Sequence, residues 1–306
     1  MCATCGCSGN GVRITGPAAH GHDDHEPHGH GHEHGHGHGH EHGHGQSHGH
    51  GRRDHHGGVG HVPRQGGAPQ PENTPQSVRK PTARSRTIAL EQQVLAKNDR
   101  LAERNRRWMA DRGIVALNLM SSPGSGKTTL LERTLRELGK DSPMGVLEGD
   151  QETLLDADRI RATGVPVVQV NTGSGCHLDA EMMARGLHSL QPEPGAVVVI
   201  ENVGNLVCPA LFDLGEQARV VVASVTEGED KPLKYPNMFR TADLVLLNKV
   251  DLLPHLDFDV EAFVAHCRSV AVDADVLGVS ARTGENLAAW YEWVRRCSAV
   301  SLSVPR

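Results

Sequence analysis

From Ile114 onward, short apolar runs alternate with stretches in which apolar positions recur every third or fourth residue. The runs are IVALNLM, GVLE, PVVQV, AVVVIE, RVVVASV, DLVLL and DVLGVS, each of strand length. Between most of them lie TTLLERTLREL, TLLDADRIRA, LDAEMMARGLHSL, VEAFVAHCRSV and ENLAAWYEWVRR, which carry helical periodicity. Strands alternating with helices predict an α/β fold, a mostly parallel sheet of about seven strands with helices on both faces. Ligands are then expected just beyond the carboxyl ends of the strands. Upstream, Leu90, Val94, Leu101 and Trp108 recur at helical spacing in a basic stretch from about Thr87 to Arg112, which reads as one amphipathic helix docked on the domain edge.

The first third of the chain lacks this patterning. From Gly9 to about Pro81 no apolar run can offset the entropy of ordering the backbone, so the segment is expected to be disordered. The chain divides into a cysteine motif over 1–10, a His-rich region and linker over 11–81, the amphipathic helix over 82–112 and one globular domain over 113–306. No basic-then-apolar stretch follows Met1 and no run approaches the ~18 apolar residues of a membrane span, so neither secretion nor insertion is expected and the cytosol is the predicted compartment. A net charge of −6 gives no electrostatic reason to expect nucleic acid or a membrane as partner.

The first apolar run leads into Ser121-Ser122-Pro123-Gly124-Ser125-Gly126-Lys127-Thr128-Thr129, with a helical pattern opening at Lys127. This is a P-loop. Its glycines let backbone N–H groups curl around phosphates, Lys127 reaches the outer phosphates and the Thr128 hydroxyl ligates Mg2+. After the sixth run comes Asn248-Lys249-Val250-Asp251, and after the last Ser280-Ala281-Arg282. A carboxylate at Asp251 accepts two hydrogen bonds from guanine N–H groups, a pair that adenine lacks, so the nucleotide is expected to be GTP. AVVVIE ends at Glu201, followed by Asn202-Val203-Gly204-Asn205, a candidate γ-phosphate sensor. Glu201, and Asp150 after the second run, are candidates to hold Mg2+ or to orient water, and the Gly204 N–H could meet the γ-phosphate. Asn205 stands where many GTPases carry a water-positioning Gln and is one methylene shorter, which predicts slow unaided hydrolysis.

Cysteine and histidine change the picture further. Cys2, Cys5 and Cys7 form a CxxCxC cluster; three thiolates with a nearby amino or backbone nitrogen suit planar Ni2+ better than Zn2+, which prefers a tetrahedron. Seventeen of the 21 histidines lie between His20 and His61, among them His30, His32, His34, His36, His38, His40, His42 and His44, and they read as low-selectivity storage for divalent ions. Cys176 and His177, after the third run, and Cys208, past Glu201, both fall in loops at the nucleotide-facing edge. Two thiolates and one imidazole supply three metal ligands, with a position left for water or a second subunit. Cys267 and Cys297 lie in amphipathic helical patterns and read as core residues.

These segments together resemble the family of hydrogenase nickel-incorporation GTPases, the HypB family. The likeness rests on MCATCGC, the His-rich insert, LNLMSSPGSGKTTLLE, LEGDQET, NTGSGCHLDA, IENVGNLVCPALFDLGE, TEGEDKPLKYP and NKVDLL. The resemblance implies a GTPase that delivers nickel to [NiFe]-hydrogenase large-subunit precursors with a second accessory protein and forms a homodimer with nucleotide. It also implies a tight nickel site at Cys2, Cys5 and Cys7 and a weaker nickel or zinc site at Cys176, His177 and Cys208. Two other readings stand beside it: a nickel or zinc storage protein, and an accessory GTPase for another metalloenzyme such as urease or a cobalamin enzyme.

Overall fold

The run Val115–Ser121 forms a strand in which every residue is buried. Such strands sit inside a sheet covered on both faces and lose the polar alternation of a half-exposed one. The computed structural model describes residues 13–15, 83–150, 155–173 and 175–302. Its strands are β1 (Arg13–Thr15), β2 (Val115–Ser121), β3 (Met144–Asp150), β4 (Val167–Asn171), β5 (Val197–Glu201), β6 (Ala218–Ser224), β7 (Leu244–Asn248) and β8 (Asp275–Gly278). They form one sheet in the order β1-β4-β3-β5-β2-β6-β7-β8. The seven strands from β2 to β8 pair in parallel, as the hydropathy pattern predicts. An eighth, β1, adds to the β4 edge in antiparallel register, Ile14 opposite Val170.

Alternate residues of the strands feed the two faces. On one, Val115, Leu117, Leu119, Val220 and Val222 pack with Leu130, Leu131 and Leu135 of α2 (Lys127–Leu138) and with Trp290 of α8 (Leu287–Leu302). Trp290 also donates its indole N–H to the Thr134 hydroxyl at 2.8 Å, which pins α8 to α2. On the other face, Ala116, Val198 and Ile200 meet Met183 and Leu187 of α4 (Ala180–Leu190), and farther along Val221 and Val245 meet Phe239 and Phe263. The short α3 (Leu155–Arg161) follows β3, and α5 (Lys231–Lys234) and α6 (Pro236–Arg240), which periodicity does not reveal, follow β6. Helix α7 (Val260–Val270) carries Phe263 and Cys267 into the core. Among the described residues no helix is long and apolar enough to cross a membrane.

The upstream helix is α1 (Ala83–Ala110). Its period matches the sequence reading and its phase does so in part: Leu101 and Trp108 are half-buried, Trp108 against the core, but Leu90 and Val94 are 47% and 42% exposed, while Asn98, Ala102, Asn105 and Met109 face inward. Buried amides do the docking. Asn105 donates to the carbonyls of Ala180 and Leu214 at 2.8 and 3.0 Å, and Asn98 donates to that of Asp213 at 2.7 Å and accepts from the Ala180 N–H at 2.9 Å. Arg106 pairs with Asp213 at 2.8 Å. Burial pushes the Asp213 carboxyl up, but Arg106 and the Gly215 N–H outweigh it and hold the group below the usual carboxylate range. The loop can approach the helix this closely because Gly215 lies at φ +88, where a Cβ would strike the Ala102 carbonyl and sit 2.9 Å from the Arg106 nitrogen.

Gly215→Ala should therefore lower unfolding stability by roughly 2 kcal/mol or more, through clash and left-handed strain together, read from the urea midpoint. The Asp213 contribution has a defined sign. It is complete above the ordinary carboxylate pKa and is lost as pH falls through the lower folded value, so Asp213→Asn should flatten acid unfolding below about pH 4.

Candidate nucleotide and metal site

Strand β2 delivers the P-loop into the middle of the sheet's carboxyl edge, and α2 starts at Lys127. Gly126 caps that helix at φ +93, and a Cβ there would lie 2.5 Å from the Asn248 amide nitrogen. Asn248 needs that space because its amide donates to the Ser125 carbonyl at 2.9 Å, while its oxygen accepts from the Ala281 N–H at 2.9 Å. Lys249, itself left-handed at φ 64, folds its ammonium back onto the Gly124 carbonyl at 2.7 Å. The first two residues of NKxD thus brace the P-loop from behind. The remaining one, Asp251, accepts from the Ser280 hydroxyl at 2.6 Å, which orients the carboxylate. Arg282 offers its carbonyl to Arg133 at 2.5 Å.

A cavity of about 450 Å³ opens over the P-loop, with Lys127, Thr128, Glu148, Arg159, Glu201 and Gly204 among its walls. One oxygen of the buried Glu201 accepts from both the Lys127 ammonium and the Thr128 hydroxyl, each at 2.6 Å. The other oxygen is buried with no hydrogen-bond partner, which costs about 1–3 kcal/mol unless a cation or water meets it. An unmatched carboxylate oxygen beside a threonine hydroxyl suits Mg2+, a hard ion that takes oxygen ligands. Gly204 packs against the P-loop, its added Cβ falling 3.3 Å from Pro123. Asp150 ends β3, and its side chain lies outside the described residues.

Two polar groups here escape sequence reasoning. Arg159, on α3, holds the Thr129 hydroxyl at 3.1 Å and Glu132 at 2.9 Å at the cavity wall. Glu227 accepts from Ser122 of the P-loop at 2.5 Å and has its other oxygen buried without a hydrogen-bond partner. Only its position past the carboxyl end of β6, where ligands are expected, could have pointed to it.

On the far side of the P-loop from the guanine motif, the loops after β4 and β5 bring Cys176, His177 and Cys208 together, with ligand atoms within 4.8 Å of one another. Ligands about 2.0–2.3 Å from one ion lie roughly 3–4.6 Å apart, so small side-chain shifts complete the site. His177 stacks on Phe212 at 3.9 Å. Burial lowers its pKa, opposed by Asp179, and this favours the neutral imidazole that binds metal. Asparagines connect this cluster to the phosphate side. Asn202, next to Glu201, accepts from the N–H of Leu178, next to His177, at 3.3 Å, and Asn205 accepts from the N–H groups of Val207 and Cys208 at 2.7 and 3.3 Å. Cys2, Cys5, Cys7 and the histidine tract with His30, His32, His34, His36, His38, His40, His42 and His44 lie outside the described residues.

The other cysteines are core residues, as their patterns predict. Cys267 is fully buried and Cys297 packs against the α2–α8 side of the core. Burial pushes the Cys267 thiol up to about 12, and burial reinforced by Asp243 pushes Cys297 to about 11. At pH 8 their thiolate fractions should lie roughly 100- to 1000-fold below ordinary ones. Alkylation followed by peptide mapping should find both unmodified in the native chain and modified once it is unfolded.

Comparison with known proteins agrees with this geometry. A family model described as CobW/HypB/UreG, nucleotide-binding domain, matches residues 115–277. Hydrogenase maturation factor HypB of Azotobacter chroococcum mcd 1 is 61% identical over 206 residues, covering 67% of this chain and 68% of the relative. Hydrogenase maturation factor HypB from Archaeoglobus fulgidus superposes with a TM-score of 0.62 at 40% identity, covering 66% of this chain and 99% of that one. HypB from Helicobacter pylori, solved in complex with nickel, gives 0.63 at 36% identity, with 69% and 99% covered. With the family model spanning more than half of the chain, and its P-loop and NKxD set where a GTPase needs them, the chain belongs to the CobW/HypB/UreG family and, within it, to the HypB hydrogenase maturation factors.

Proposed function

We propose that this chain is a GTP-hydrolysing nickel carrier that acts in the cytosol as a GTP-dependent homodimer. With a second nickel-insertion accessory protein, it delivers nickel to the [NiFe]-hydrogenase large-subunit precursor. The observation that carries the reading is the continuity of one segment. Glu201 accepts from Lys127 and Thr128, and seven residues later Cys208 joins Cys176 and His177, with Asn202 and Asn205 hydrogen-bonded between them. The nickel-bound Helicobacter pylori relative supports nickel as the cargo, and the function printed for the Azotobacter relative supports its destination.

The geometry supports the following roles. The P-loop amides of Gly124, Ser125 and Gly126 cradle the phosphates, and Lys127 neutralises the outer ones. Asp251, held by Ser280, reads guanine, while Asn248, Lys249 and Ala281 brace the loop. Thr128 and Glu201, with Asp150 as a further candidate, hold Mg2+, which when bound offsets charge on the β- and γ-oxygens. Phosphate competes with Glu201 for the Lys127 ammonium, so nucleotide entry weakens the ion pair at the root of the Cys208 segment. Cys2, Cys5 and Cys7 form the tight nickel site, and the histidine tract stores nickel or zinc.

Nickel affinity of the Cys176, His177 and Cys208 site should differ between the GDP form and the form with a non-hydrolysable GTP analogue. The expected factor is about 5 to 150, measured by competition with a metal-binding dye, and equal affinities would sink the coupling. Cys208→Ala should remove the difference along with most of the binding, and Asp251→Asn should weaken GTP about 100-fold. Because Asn205 is engaged with Val207 and Cys208, basal turnover should stay below about 0.01 per second in single-turnover assays, whereas rapid unaided turnover would contradict the switch.

A further inference from the structure

A triphosphate that has bound Mg2+ keeps a net negative charge, and the bond that breaks on hydrolysis leaves further charge on the β-phosphate. Among the described residues that line the cavity, the cations are Lys127 and Arg159, and the same wall carries the buried carboxylates Glu148 and Glu201. Lys127 is already shared with Glu201 at 2.6 Å. The charge of Arg159 is not committed to that pair.

We infer that Arg159 is a catalytic arginine supplied in cis: it turns from its resting contacts on α2 onto the phosphates and stabilises the charge that develops as the γ-phosphoryl leaves. The inference deepens the GTPase reading and rests on it.

The resting contacts place the guanidinium beside the chemistry. Its Nη2 meets the Thr129 hydroxyl at 3.1 Å and Glu132 at 2.9 Å. Thr129 follows Thr128 in the first turn of α2, and the N–H groups of such a first turn have no partner within the helix and face phosphate. A long side chain anchored there reaches the phosphates by rotating about its own bonds. Arginine suits the task better than lysine, because its planar fork can bridge two phosphate oxygens at once.

The resting contacts are also easy to give up. Glu132 is only 18% exposed and would be costly to strand, but it pairs with Arg136 at 2.5 Å as well and so keeps a cation when Arg159 departs. Arg159 itself is 42% exposed, and an ion pair so open to water is weak. Until nucleotide draws it in, the arginine is stowed on Glu132, which gives slow unaided turnover a cause beside the engaged Asn205.

The step balances. The water oxygen forms a bond to the γ-phosphorus. The bond from that phosphorus to the β,γ-bridging oxygen breaks, its electron pair goes to that oxygen, and the water proton ends on the released phosphate. Arg159 gives up no proton; its N–H groups donate to the bridging and γ-oxygens as charge accumulates there.

The test is single-turnover GTP hydrolysis by the full chain, with GDP affinity measured beside it. Arg159→Ala should slow hydrolysis about tenfold or more while GDP affinity stays within about threefold of wild type. Arg159→Lys keeps the charge, loses the fork and should remain slow. Glu132→Gln separates catalysis from a mere clasp between α2 and α3. It removes the same ion pair, so a clasp predicts the loss seen in Arg159→Ala, whereas a stowed catalytic arginine predicts a rate equal to wild type or faster. GDP with aluminium fluoride, a mimic of the γ-phosphoryl in transfer, should be captured by the wild type and by Glu132→Gln but not by Arg159→Ala. Four results overturn the arginine alone: an unchanged rate in Arg159→Ala, a loss of GDP affinity as large as its loss of rate, its capture of aluminium fluoride, or an equal loss of rate in Glu132→Gln. A wild-type chain that binds GTP and never hydrolyses it overturns the GTPase reading as well.

Discussion

The side chain on which the site's organisation depends is Glu201, a carboxylate 2% exposed at the end of a wholly buried strand. Burying such a charge is tolerable only if it is paired. Lys127 and Thr128 both converge on one of its oxygens, and the other is left for a ligand. The pairing draws the start of α2 against the end of β5 and so sets the width of the phosphate cavity. Any ligand that competes for Lys127 must re-solve the charge balance of Glu201, and the backbone that follows carries Asn202, Gly204, Asn205 and Cys208 in succession.

What is legible in the sequence follows from which interactions are local. The parallel strands β2 to β7 are readable because burial on both faces makes them largely contiguous apolar runs, whereas β8, at the sheet edge, is only partly buried. The P-loop is readable because its chemistry needs fixed spacing. Cys176, His177 and Cys208 are separated in sequence, yet the rule that ligands gather at strand ends brings their loops to one edge. Other features depend on partners that no local pattern records. The three residues of β1 have no apolar run and exist as a strand only against β4. The face of α1 is chosen by Asn98 and Asn105, because the loops they meet present carbonyls and an N–H, so an apolar stripe through Leu90 and Val94 points to the wrong side. The bracing role of Asn248 and Lys249 is equally hidden, since NKxD reads as a base-recognition motif while two of its side chains hold the P-loop.

The chain also sorts its thiols by environment. Cys267 and Cys297 sit where burial holds the proton on sulfur, which makes them poor ligands as well as poor nucleophiles. Cys176 and Cys208 lie instead beside an imidazole whose pKa burial lowers against the opposing Asp179, at a loop junction with backbone N–H groups nearby. The candidate metal cluster is therefore placed by the same sheet edge as the P-loop, and cysteine content alone would not have separated the two pairs.

The size of the coupling can be bounded from the bonds that transmit it. Three neutral hydrogen bonds link the phosphate side to the ligands, from the N–H groups of Leu178, Val207 and Cys208 to Asn202 and Asn205. At about 0.5–1.5 kcal/mol net each, their complete loss in one nucleotide state changes metal binding by at most about 4.5 kcal/mol. Moving a two-state equilibrium from nearly all to nearly none needs about 5.5 kcal/mol. Nucleotide alone therefore biases the metal site without emptying it. Under the proposed carrier function, the remaining free energy for release comes from whatever competes for the metal, and the cargo is held until such an acceptor is present.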